Sequence, residues 1–151
     1  VMLKKILVTD DSVTQLVLRL MLALVFFPHG AQKAFAWFGG NGFSATMGFF
    51  VDKAGIPWVL AFLAVLAETA GVLALFAGIF TRIAALGIAV NMIICAAGNH
   101  VKNGFFMNWM GNQQGEGFEF HILAVAICIA LIISGGGKWS LDRLLSERRS
   151  P

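Results

Sequence analysis

Four apolar runs, each close to the length that crosses a bilayer, limit what this chain can become. They cover residues 13–36, 58–80, 83–101 and 119–134. A helix needs about 20 residues to span the hydrocarbon layer. Composition points the same way: hydrophobic residues make up 58% of the chain and charged ones 13%, with mean hydropathy +0.81. Soluble domains hold about 45–50% apolar and about 25% charged residues, and no larger core would absorb the difference. The expected fold is therefore all-α: one integral membrane four-helix bundle. Only Thr81 and Arg82 part the second run from the third, which predicts a tight helical hairpin.

Other readings fail early. The opening "KKILVTDDS" resembles the first strand and acidic pair of a receiver domain, but no alternation of strands and helices follows it. The first apolar run is too long for a cleaved leader, holds polar groups and ends in no small-residue cleavage site. Cys95 and Cys128 lie within apolar runs and read as small packing residues. The net charge of +3 comes from basic residues gathered at the chain ends and does not suggest nucleic acid.

Two longer connections, residues 37–57 and 102–118, are rich in Gly, Phe and Trp. Aromatic rings favour the membrane interface, so these loops are expected to lie on it. Ser44 is placed to cap a short interfacial helix reaching Ala54. Residues 138–151 read as a basic amphipathic tail on the anionic inner leaflet. One side of the bundle would carry seven basic residues: Lys4, Lys5, Arg82, Lys138, Arg143, Arg148 and Arg149. The other would carry three: Lys33, Lys53 and Lys102. Both termini are expected in the cytoplasm, in a bacterial inner membrane.

Ionisable groups inside a span cost roughly 2.5–3.5 kcal/mol at its centre, so their positions are informative. By depth, Arg19 falls in the inner half of the first run, and Glu68 and Asn91 fall mid-membrane. These three are the candidate buried polar core. His29, Lys33, His100, Glu119 and His121 fall in the outer third and are the candidate polar pocket. At about 100° per residue, the inner groups and Lys33 lie on the small-residue faces of their helices, where helices pack closely. Glu119 and His121 are about 200° apart and do not share a face. Pro28 removes one backbone donor, a break tolerated beside protein or a wet cavity. Arg19 and Glu68 are expected to face each other, directly or through Asn91 or water.

These segments also resemble a known family. "RLMLALVFFPHGAQKAF" and "AETAGVLALFAGIFTR" are similar to the first and second helices of the DoxX family of small bacterial membrane proteins. "HVKNGFF", "GFEFHILA" and "GGGKWSLD" resemble its later helix ends and C-terminal segment. The resemblance implies a four-helix membrane bundle and a loose link to redox complexes. Some relatives are subunits of thiosulfate:quinone oxidoreductase, and others are tied to thiol and oxidant defence.

Function is read as a small inner-membrane subunit of a redox or respiratory complex with a quinone-facing pocket. Quinone chemistry needs hydrogen-bond partners and protons on demand, which His29, Lys33, His100 and Glu119 would supply. The same groups also fit a purely structural polar core. An assembly subunit and an oligomeric transporter of a small solute are the alternatives. Three histidines at similar depth permit haem, but they lie near the rim and haem is not favoured. No close ligand spacing appears, so no metal is expected. Only the cysteines could store electrons, so the chain is at most part of an oxidoreductase. Its expected partners are the lipid bilayer and other membrane or redox subunits.

Overall fold

The computed structural model describes residues 2–147. Among these residues the secondary structure is helical, with no strand. The helices are α1 (Met2–Leu7), α2 (Val13–Phe35), α3 (Gly42–Gly48), α4 (Trp58–Ala77), α5 (Thr81–Cys95), α6 (Glu119–Ser134) and α7 (Leu141–Glu147). Helix α5 continues through a wide turn, Ala96–His100, and a tight one, Val101–Asn103. Three helices are long and apolar enough to cross a membrane: α2, α4 and α5 with its continuation. Helix α6 is equally apolar but has 16 residues.

Helix α2 packs on α4 and α6, and α5 packs on the same two, so the four close into a ring. Its centre holds Leu22, Phe26, Leu75, Ile88 and Leu131. The outside is apolar too: Leu24, Leu63, Leu73, Ile94 and Leu123 are each at least half exposed. Charged Arg19, Glu68 and Asp142 are by contrast 1%, 2% and 0% exposed. A water-soluble protein buries these residue types almost never unless paired. The arrangement suits a solvent of lipid.

At one end of the ring the buried charges serve the helix termini. The last carbonyls of a helix have no partner within it. Arg19 Nη1 donates to the Leu75 and Phe76 carbonyls, at 2.6 and 2.7 Å, at the end of α4. Its Nε donates to Gly136 O at 3.1 Å, and Nη2 reaches Lys138 O and Trp139 O at 3.4 Å. Gly78 follows α4 with φ +66°, and a side chain there would strike Ser140 and the Arg19 guanidinium. Only glycine fits both demands. Asp142 takes the opposite pole of the hairpin. Its carboxylate accepts the backbone N–H groups of Phe80 and Thr81, at 2.7 and 2.9 Å, where α5 begins. A cation at a helix C-terminus and an anion at an N-terminus both suit the helix dipole.

Arg82 repeats the device. It donates to Ile132 and Ile133 near the end of α6 and to Ile6 and Val8 at the end of α1. Thr9 donates to Ser134 O and accepts from Gly137 N. Helices α1 and α7 also touch, so the two ends of the described chain meet at this one end of the ring.

Two expectations change here. Arg19 does not face Glu68: a guanidinium with five fixed donors finds backbone carbonyls one helix-end away, nearer than a carboxylate at mid-helix. Ser44 does not cap α3, which starts at Gly42 and shows no side-chain cap. Residues 2–7 form a helix, in keeping with the rejected likeness to a receiver domain. Arg148 and Arg149 lie outside the described residues.

Arg19→Leu would leave the carbonyls at the end of α4 and in the 136–139 loop without donors. The expected loss is about 3 kcal/mol or more, read as a lower thermal midpoint in detergent. Arg19→Lys should recover only part of it, because an ammonium is a point charge and not a fork. An unchanged midpoint in both variants would refute this role.

Candidate functional site

Two further polar clusters form, one around buried Glu68 and one around buried His121. In the first, helices α2, α4 and α5 each contribute one residue. Glu68 on α4 accepts an ion pair from Lys33 of α2 at one carboxylate oxygen and a hydrogen bond from Asn91 of α5 at the other. Asn91 Nδ2 also lies 3.5 Å from Ala64 O. Glu68 is buried, while Lys33 is partly exposed. Gly30 makes this meeting possible. A Cβ at that position would overlap the Glu68 backbone carbonyl, so α2 and α4 touch backbone to backbone there. Lys33, one turn further along α2, is thereby set over the Glu68 carboxylate.

Between α4 and α5 lies an open groove of about 570 Å³. Ala64, Ala67, Gly71, Ala84 and Gly87 form much of its floor, and small side chains leave the space. Its wall is apolar except for Asn91. Asn91 thus joins the buried carboxylate to an apolar, outward-facing groove.

The second cluster lies where α5 ends and α6 begins. One donor atom each from Cys95, His100 and His121 lies within 4.8 Å of the others. The two imidazole rings are 4.3 Å apart, centre to centre. The wide turn after Cys95 explains the meeting. In an α-helix, residues five apart sit about 140° out of phase. Here Val101 N bonds to Ala96 O, five residues back, and the widened turn carries His100 round toward Cys95. Cys95 and Cys128 are both free thiols, the first half-buried and the second fully buried.

The five residues expected to share one pocket divide instead. Lys33 joins Glu68, and His100 joins His121. Glu119 turns away to accept Met107 N–H at 2.9 Å and Trp109 Nε1–H at 3.3 Å, tying down the loop before α6. Of these two, only His121 faces inward, as the 200° between them requires. His29 is exposed, its ring 6.2 Å from Phe26. A file of rings links it inward: Phe26 meets Phe120 at 6.2 Å, and Phe120 meets His121 at 5.8 Å.

The DoxX family model matches residues 14–101, which hold the first three long helices and every residue of the Lys33–Glu68–Asn91 cluster. The chain belongs to the DoxX family. It is also 29% identical over 142 residues to an uncharacterized protein of Haemophilus influenzae, covering 91% of this chain and 86% of that one. No solved structure matches it. Family membership and three apolar helices together make this DoxX protein a multi-pass membrane protein in contact with lipid.

The sequence marked Glu68 and Asn91 by depth and helix face, and both lie in the first cluster. It assigned Lys33 to a different group because backbone depth ignores side-chain reach. Cys95 it read as packing, or as a redox pair with Cys128, and not as a neighbour of the histidines. The missed signal was the run "AAGNH", where small and turn-prone residues let the helix widen.

In this DoxX protein, Lys33 and Glu68 should behave as a coupled pair. Lys33→Met strands a buried carboxylate, and Glu68→Gln leaves the ammonium without its anion. The double variant should be more stable than the sum of single losses predicts, by at least about 1 kcal/mol. Thermal unfolding of all four proteins in detergent measures this. Strict additivity would show that the pair contributes nothing jointly.

Proposed function

We propose that this protein is a four-span inner-membrane subunit of a redox or respiratory complex, and that its Lys33–Glu68–Asn91 cluster meets a quinone head group. One observation carries the reading: Asn91 is both the hydrogen-bond partner of Glu68 and the polar point in the wall of the α4–α5 groove. An isoprenoid tail matches an apolar groove open to lipid, and a quinone carbonyl at its edge would replace Ala64 O, 3.5 Å away, as acceptor of the second Asn91 Nδ2–H. Reduction of a quinone takes up a pair of electrons and a pair of protons. The protons have a route through Lys33 and Glu68, whose partly exposed lysine and buried carboxylate can exchange one. The electrons must come from a partner subunit, because the cluster stores none.

A second reading rests on the same groove. Its small residues would equally accept a helix of another subunit, as small faces do in membranes. The polar cluster would then only fix helix register. A photoreactive quinone analogue separates the two. It should label peptides lining the α4–α5 groove, and Asn91→Leu should reduce labelling at least about fivefold with the fold intact. Equal labelling in both proteins would overturn the quinone reading. Loss of a co-purifying subunit in Gly87→Leu would favour the second.

The end carrying Arg19, Arg82 and Asp142 is proposed to be cytoplasmic, since Lys5, Lys138 and Arg143 also lie on the segments gathered there. A cysteine at exposed position Asn112 should react with an impermeant maleimide added to intact cells. One at Lys5 should react only after permeabilisation. The opposite pattern would invert the topology.

A further inference from the structure

We propose that Cys95, His100 and His121 form a binding site for a monovalent copper ion. This site stands apart from the quinone reading and survives its failure. The three donors lie within 4.8 Å of one another, so small side-chain rotations bring them around one ion. The donor set is one thiol and two imidazoles, a soft to borderline group.

Two details point to a ligand rather than to packing. His121 is 7% exposed, and its Nδ1 is buried without a hydrogen-bond partner. A buried polar atom without a partner is uncommon and calls for a cause. His100 shows the second detail. Its Nδ1 lies 2.9 Å from the Glu116 carbonyl, to which it donates as Nδ1–H. That fixes the tautomer and leaves the Nε2 lone pair free, the arrangement usual for a metal-bound histidine. The widened turn that brings Cys95 and His100 together is itself a feature common at functional sites.

Charge decides which ion. Cys95 binds as a thiolate, releasing its proton. With Cu⁺ the thiolate and ion sum to zero. With Zn²⁺ the same donors leave a net positive charge, and among the described residues no carboxylate joins the group. His121 also lines an apolar groove of about 420 Å³ with Met92, Ile93, Val125 and Ile129. A net charge beside such a wall is costly, and a neutral complex is not. Three donors also complete a trigonal Cu⁺ site but leave zinc one short of its usual four.

The test is competition between the purified, reduced protein and a chromogenic Cu⁺ chelator. The protein should withdraw one Cu⁺ per chain. Loss of an outer-shell partner alone typically weakens metal binding about 10–100-fold, so Cys95→Ser and His121→Ala should each weaken it at least about tenfold. Circular dichroism checks that both remain helical. If either fails to fold, His100→Gln at the half-exposed position replaces it, with the same loss expected. The copper absorption edge should report one sulfur and two nitrogen neighbours. No withdrawal of Cu⁺ by folded protein, equal affinity in the variants, or preference for Zn²⁺ over Cu⁺ would each overturn the assignment.

Discussion

The guanidinium of Arg19 holds three parts of the chain that share no other feature. It rises from α2, closes the open carbonyls of α4, and draws in the 136–139 loop. That loop carries Asp142 to the start of α5. The α4–α5 hairpin is thus clamped at both poles, by a cation where one helix ends and an anion where the next begins. In hydrocarbon a helix end without partners costs several kcal/mol per group. The cost of a buried arginine is offset because it meets backbone groups that otherwise have nothing to bond.

Gly30 does for the middle of the ring what Arg19 does for its end. Packing between hydrocarbon helices gains nothing from expelling water, so contact area and close approach must supply the attraction. Where α2 and α4 touch at Gly30, their backbones leave no room for a side chain. The same closeness lets Lys33 and Glu68 meet, with Asn91 completing the carboxylate's partners. The two clusters differ in what surrounds them. The carboxylate has a partner at each oxygen, whereas His121 keeps an unpartnered nitrogen. One cluster is balanced internally, and the other is not.

Much of the helical plan was legible because lipid enforces one simple rule, that long apolar runs become helices. Helix α2 ends within a residue of its apolar run, and α6 spans residues 119–134 as read. Depth and face, read from regular helix geometry, marked Glu68, which is buried, and Asn91, which is half-buried and bonds to it. What regular geometry could not supply was reach and irregularity. Arg19 looked like a partner for Glu68 because the free carbonyls at the end of α4 cannot be seen as a motif. Cys95 was not linked to His100, because the widened turn through Ala96–His100 leaves no side-chain pattern. Ser44 looked like a cap because composition does not say which residue begins a turn. Each miss comes from backbone groups or backbone spacing, which side-chain patterns record only indirectly.

Arg19 also imposes an order on biogenesis. It lies early in the chain, while its acceptors lie at Leu75 and Phe76 and then at Gly136, Lys138 and Trp139. As the polypeptide leaves the ribosome, α2 therefore enters the membrane with its guanidinium unmet. The emerging α4 supplies the first acceptors, and the rest arrive only after α6 has been made. Until then the arginine must stay near the lipid head groups or the insertion machinery. Completion of the 136–139 loop is what lets it withdraw, so a segment made after α6 sets the depth of α2.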